Sequence, residues 1–177
     1  MNKVKDVIYV DSNDQVLGSG SIDKYIKMKV AVRISRVLLF DGDMILLQQR
    51  SGKMVASKFK WDQTSAGHVD VDEDYKKAAL RELEEEMGII ASDLQEIAYF
   101  YTEDVHPDGL RKRFNKLYVA KYEDSPITID RNEVKEAKWV HVDEVANWLK
   151  NRPKDFTSTF SQTYYCFVKW KKDCGST

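Results

Sequence analysis

Gly67-His68-Val69-Asp70-Val71-Asp72-Glu73, and then Arg81-Glu82-Leu83-Glu84-Glu85-Glu86-Met87-Gly88-Ile89, is the stretch on which the reading of the chain turns. Its second half predicts a helix over Tyr75 to Met87. Asp74 is the N-cap, Ala78, Ala79 and Leu83 form a core stripe, and Gly88 is the left-handed residue that ends it. On such a helix Glu82 lies three residues from Glu85 and four from Glu86, so the three carboxylates project from one side. Like charges at that spacing cost roughly a few tenths of a kcal/mol per pair, and near a helix C-terminus the dipole disfavours them further. A cation relieves both penalties. Hard oxygen donors suit Mg²⁺ (or Mn²⁺), which fills its remaining positions with water and substrate phosphates. Taken alone, Glu84-Glu85-Glu86 reads as a solvated acidic face; the spacing around it argues otherwise.

Working outward, Val7 to Val10 predicts a strand ended by the turn-forming Asp11-Ser12-Asn13-Asp14. Gly18 to Ser21 reads as a loop, and Met28 to Phe40 as a strand in which Val30, Val32 and Ile34 alternate. Asp41-Gly42-Asp43 is a hairpin signal, with Met44 to Leu47 as the returning strand. Ser51 to Lys60 is a polar loop. Beyond the helix, Leu94 to Tyr101 and Phe114 to Tyr122 read as strands around a Pro107-Asp108-Gly109 turn. Ala137 to Val142 is a short strand centred on Trp139, and Asp143 caps a helix through Trp148 and Leu149. A last helix begins near Thr157 or Ser158 and runs to about Lys171, with Phe160, Tyr164, Phe167 and Val168 on one face. Irregular alternation of strands and helices points to a mixed sheet with helices on both sides.

The 177 residues suit one compact domain. A net charge of -1 argues against a protein that works on the nucleic-acid backbone. Cys166 and Cys174 lack a second pair to complete a metal site and read as free thiols. The apolar run at Val7 is too short for a signal-peptide core, and no stretch approaches the ~20 residues that span a bilayer. The expectation is a cytoplasmic protein without membrane contact.

Gly, five residues, Glu, seven residues, then Arg-Glu-aliphatic-any-Glu-Glu-any-Gly-aliphatic is satisfied at Gly67, Glu73, Arg81, Glu82, Leu83, Glu85, Glu86, Gly88 and Ile89. This resembles the Nudix box. Leu46 to Arg50, Trp61-Asp62 with Thr64 to Gly67, and Glu136 to Val140 extend the resemblance over about Met28 to Leu149. It implies an α/β fold, a Nudix-type α/β/α sandwich with a mixed β-sheet, here with a C-terminal helix added. The domain would span 1-177, with a core of about 28-149, an N-terminal strand and loop (1-27) and a C-terminal helix and tail (153-177). The implied activity is Mg-dependent hydrolysis of a diphosphate bond in a nucleoside diphosphate or a small molecule linked to one, by water attack at phosphorus.

By the same resemblance, Glu82, Glu85, Glu86 and the Gly67 carbonyl are the metal positions. Glu85 or Glu86 orients or deprotonates the water, and Glu73 and Arg81 are a buried structural pair. Glu133 and Glu136 are candidates for a second base from a later loop. Two places depart from the usual pattern: Ala66-Gly67 stands for Gly-Gly, and Asp72 for Gly. Asp tolerates a left-handed backbone, so the turn can survive.

Trp61 to His68 also resembles isopentenyl diphosphate isomerases, which share the fold. Those enzymes carry a cysteine immediately before Gly-His, histidine ligands upstream and a later acidic pair. Here Ala66 holds the cysteine's place, His68 is the first histidine, and Arg113 to Leu117 offers no acidic pair. A Nudix module that binds a nucleotide without turnover is the remaining alternative. Arg50, Lys60, Trp61 and His68 are candidate substrate contacts. Lys53, Lys58 and Arg111, Lys112 and Arg113 could line an anion's path, and Tyr99 or Tyr101 could stack a base. The last helix either extends the core or joins two subunits into a homodimer.

Overall fold

The computed structural model describes residues 6–106 and 109–175. The order is β1 (Val7–Val10), β2 (Val16–Gly20), α1 (Ile22–Met28), β3 (Ala31–Asp41), β4 (Met44–Arg50), β5 (Trp61–Asp62), β6 (Ser65–His68), α2 (Tyr75–Met87), β7 (Gln95–His106), β8 (Gly109–Lys121), β9 (Val134–His141), α3 (Val142–Asn151), a 3-10 turn (Pro153–Asp155) and α4 (Phe160–Gly175). The strands form one mixed sheet. β3 lies at its centre, paired in parallel with β8 and antiparallel with β1, β4 and β6.

Because successive side chains on a strand point to opposite faces, β3 sorts the core into two layers. Val37 and Leu39 pack with Ala78, Ala79, Leu83 and Met87 of α2. Leu38, with Ile45 and Leu47 of β4, packs against Val145 and Leu149 of α3 and Phe160, Tyr164 and Phe167 of α4. Next to this second layer, Tyr25 and Ile26 of α1 cover Val32 and Ile34. The chain is thus an α/β/α sandwich, and α4 completes its core. Among the described residues no helix is long and apolar enough to cross a membrane.

Several local expectations need correction. Gly18 to Ser21 is not all loop: Gly18, Ser19 and Gly20 pair with β1 as part of an exposed edge strand. The strand expected from Met28 begins at Ala31, because Met28 ends α1, a short helix with only Tyr25 and Ile26 buried. β7 and β8 run well past their apolar segments as a mostly polar ladder, from Thr102↔Arg113 to His106↔Gly109. Asp143 does not cap α3; His141 does, accepting from the Asp143 amide at 3.2 Å. α4 starts later than expected, at Phe160, after the 3-10 turn at Pro153. Residues Pro107 and Asp108 of the expected turn lie outside the described residues.

Candidate active site

α2 is set at both ends by its own sequence. Asp74 accepts from the Lys77 amide at 2.8 Å, and Gly88, at φ 67°, returns its amide to the Glu84 carbonyl. These ends fix the rotation that buries Leu83 and Met87 and so turns Glu82 and Glu86 toward the sheet. Glu86 is only 3% exposed, and its Oε2 accepts from Gln48 Nε2 of β4 at 2.7 Å. Glu82 lies against Gly67 so closely that a Cβ built on that glycine would land on the carboxyl group.

Arg81 organises the surroundings. Its Nε and Nη2 donate to the two oxygens of Glu73 at 2.7 and 2.8 Å, a bidentate link, and Nη2 also donates to the His68 carbonyl at 3.0 Å. Its Nη1 reaches Glu82 at 2.6 Å and Glu85 at 3.1 Å. The loop before α2 closes with Asp72 at φ 69°, the left-handed conformation expected where the family's usual pattern has glycine.

The electrostatics are those of crowded acids. Burial first, then Glu85 and Glu133, push the Glu82 carboxyl up to about 7 against the pull of Arg81. Burial, then Glu82 and Glu133, hold Glu86 well above the usual carboxylate range. Glu133 is itself raised, by burial and by Asp130. Among the described residues no three His, Cys, Asp or Glu side chains converge in a metal-ligand cluster, and Arg81 takes the oxygens of Glu82 and Glu85 that such an ion would use. The donor set nevertheless fits a hard divalent cation. It comprises carboxyl oxygens whose charged form is disfavoured as they stand, beside a glycine with no side chain to obstruct approach.

Other expected residues divide between the sheet's two faces. Arg50 acts electrostatically on Glu86 and Glu133 and so belongs with the acids. Glu133 joins them as well. Glu136 pairs with Gln49 in the β4–β9 ladder, beside Ala137 of the α2-side core, so alternation turns it to the other face. Lys60 is tied to the Lys154 carbonyl at 3.1 Å. Trp61 packs edge-on to Trp148 in the α3–α4 layer, with Lys138 Nζ 4.4 Å from its ring, and is not a free stacking face. Tyr99 and Tyr101 flank Phe114, each partly exposed. Lys53 is engaged by Asn132.

His68 points away from the glutamates, toward Tyr25 of α1. Burial, then Arg113, Arg111, Arg36 and Arg81, lower its pKa to about 3, which keeps the imidazole neutral. Gln48 and Arg36 were not among the expected site residues. Gln48 offered one signal, a polar side chain following Leu46-Leu47 in a buried strand.

The NUDIX domain profile matches residues 30–160 of the chain. Isopentenyl-diphosphate Delta-isomerase of Serratia proteamaculans is 29% identical over 156 residues, covering 87% of this chain and 86% of that protein. The uncharacterized Nudix hydrolase PA4841 of Pseudomonas aeruginosa is 28% identical over 139 residues, 76% of this chain and 77% of its own. Among solved structures, DR0079 from Deinococcus radiodurans superposes with a TM-score of 0.74 at 15% identity, covering 92% of this chain and 99% of its own.

Proposed function

The chain belongs to the Nudix family, and on that premise we propose that it hydrolyses a diphosphate bond in a nucleoside diphosphate or a small molecule linked to one, with Mg²⁺ or Mn²⁺. One observation carries this reading: two buried carboxyl groups, Glu82 and Glu86, lie together with Glu133 and repel one another, which a divalent cation would reverse. Glu82, Glu85, Glu86 and the Gly67 carbonyl would hold the ion. When bound, it draws charge from phosphate oxygens and makes water more acidic. Gln48 fixes the Glu86 carboxyl by a 2.7 Å hydrogen bond, and the Glu73–Arg81 link ties the loop that follows β6 to α2. Glu85 is half exposed and so able to reach water, whereas Glu86 is enclosed. Glu85 is therefore the better placed of the two to accept the proton.

Several relatives of 24–29% identity are isomerases, so that activity is the second reading. Ala66 stands where the isomerase resemblance requires a cysteine, and an alanine moves no proton. Asn115, within the stretch where that resemblance requires an acidic pair, is a buried amide. A panel of nucleoside diphosphates, nucleotide sugars, dinucleotides and capped RNA, with and without Mg²⁺, tests the proposal. Release of phosphate or nucleoside monophosphate supports it. Conversion of isopentenyl diphosphate without phosphate release would replace it with the isomerase, and saturable binding without any turnover would leave a binding module.

A further inference from the structure

Among the described residues β2, β5, β6, β7 and β9 each pair with a single neighbouring strand. An open strand edge is a template for another strand, and proteins protect it by shortness, bulges or charge. β5 and β6 have two and four residues. β2 has five, with Gly18 and Gly20 among them, and slips register beside β1. β9 carries Lys135, Glu136 and Lys138, all exposed. β7 lacks these defences. It has twelve residues, and its middle, Ile97 to Thr102, contains no charge, no proline and no glycine. Its register shift lies between Glu96 and Ala98, near one end.

What this strand presents is suited to contact. Ala98 and Phe100 turn into the layer under α4. On the other face Tyr99 and Tyr101 are 49% and 42% exposed, their ring centroids 6.0 and 4.9 Å from that of the buried Phe114. Tyr99 is tethered by its hydroxyl, which donates to Asp14 Oδ2 at 2.9 Å, and Tyr101 by a hydrogen bond to Glu103. Rings already held in place lose little freedom when covered, and tyrosine is a frequent interface anchor for that reason. The acids towards the strand's ends are matched within the chain, Glu96 by Lys116 at 2.9 Å and Asp104 by Arg113.

We propose that β7 joins two copies of this chain, antiparallel about a twofold axis, so that one sheet runs through both. Self-pairing requires a strand whose two halves tolerate each other, and the charge pattern supplies it. With Tyr101 on the axis, Tyr99 comes opposite Glu103 of the second copy and Ala98 opposite Asp104, so no acid meets an acid. The neutral middle offers a foreign strand no charge by which to be selected, whereas a second copy is complementary by symmetry.

Sedimentation velocity of the full chain over a range of micromolar concentrations tests this. No metal and no turnover enter the measurement, so the hydrolase reading and this one can fail separately. The unsubstituted protein is expected to reach twice the chain mass. A charge on the axis meets its own copy, so Tyr101→Lys and Tyr101→Glu should each weaken association at least about tenfold. An equimolar mixture of the two should restore the dimer, which a merely damaged fold cannot do. Should either variant fail to fold, hydrogen exchange of the unsubstituted protein decides: β7 amides gain protection as concentration rises, and those of β2 and β9 do not. A monomer at every concentration overturns the proposal. So does a dimer that survives both substitutions, folded variants that do not associate on mixing, or protection gained on another edge instead.

Discussion

A methyl group on Gly67 would occupy the position of the Glu82 carboxyl, yet this glycine has no left-handed φ that alanine would strain. Gly67→Ala is therefore expected to fold, with a thermal midpoint within a few degrees of the parent, while Mn²⁺ affinity falls at least tenfold by titration. Glu85→Gln and Glu86→Gln test the water-activating role directly. General-base contributions are about 10²–10⁴-fold, so losses below about tenfold in both variants would remove the assignment. His68 gives a pH prediction. Its folded pKa, about 3, lies below the ordinary histidine value, so its contribution to stability is complete above about pH 6.5 and is lost as pH falls toward 3. Between pH 7 and 5 that loss is roughly 1–2 kcal/mol. In His68→Phe, urea unfolding should show a pH slope shallower by this amount, and an identical slope would contradict the burial argument. The acidic site was legible because Glu82, Glu85 and Glu86 sit within one helix, where spacing alone sets direction. Gln48 and Arg36 were not, since each acquires its meaning from partners dozens of residues away: Glu86, and Gln63 with Asn115.

At the scale of elements, α2 was readable to the residue because its boundaries are chemical. A side-chain oxygen caps one end and a left-handed glycine closes the other. Asp74→Ala should cost about 1 kcal/mol. Gly88→Ala should cost a similar amount or more, roughly 1–2 kcal/mol, since a Cβ there meets Thr128 at 3.0 Å as well as the left-handed backbone. Denaturant midpoints measure both. The elements missed are those whose cause is not local. β2 has every residue at least partly exposed and is a strand only because β1 is beside it. The outer halves of β7 and β8 are mostly polar and pair through one another's backbone, with Arg113 and Asp104 facing across. α1 is too short, and too sparsely apolar, to announce itself by periodicity.

For the molecule as a whole, the sandwich depends on its last helix. Phe160, Tyr164 and Phe167 fill the layer against Leu38, Leu47 and Val145. Phe160→Ala should destabilise by about 3–5 kcal/mol, seen as a lowered urea midpoint. Removing residues after Asn151 should expose that layer and abolish cooperative unfolding. Fold class was accessible in advance because both helical layers leave apolar stripes in the sequence. Strand order was not, because the parallel pairing of β3 with β8 joins segments separated by the entire box. That pairing has a consequence for biosynthesis. α2 leaves the ribosome before β8, so the helix bearing the glutamates emerges while the sheet beneath it still lacks a central member. Its apolar stripe must then wait in water, or in the care of a chaperone, until Phe114 and Tyr118 arrive.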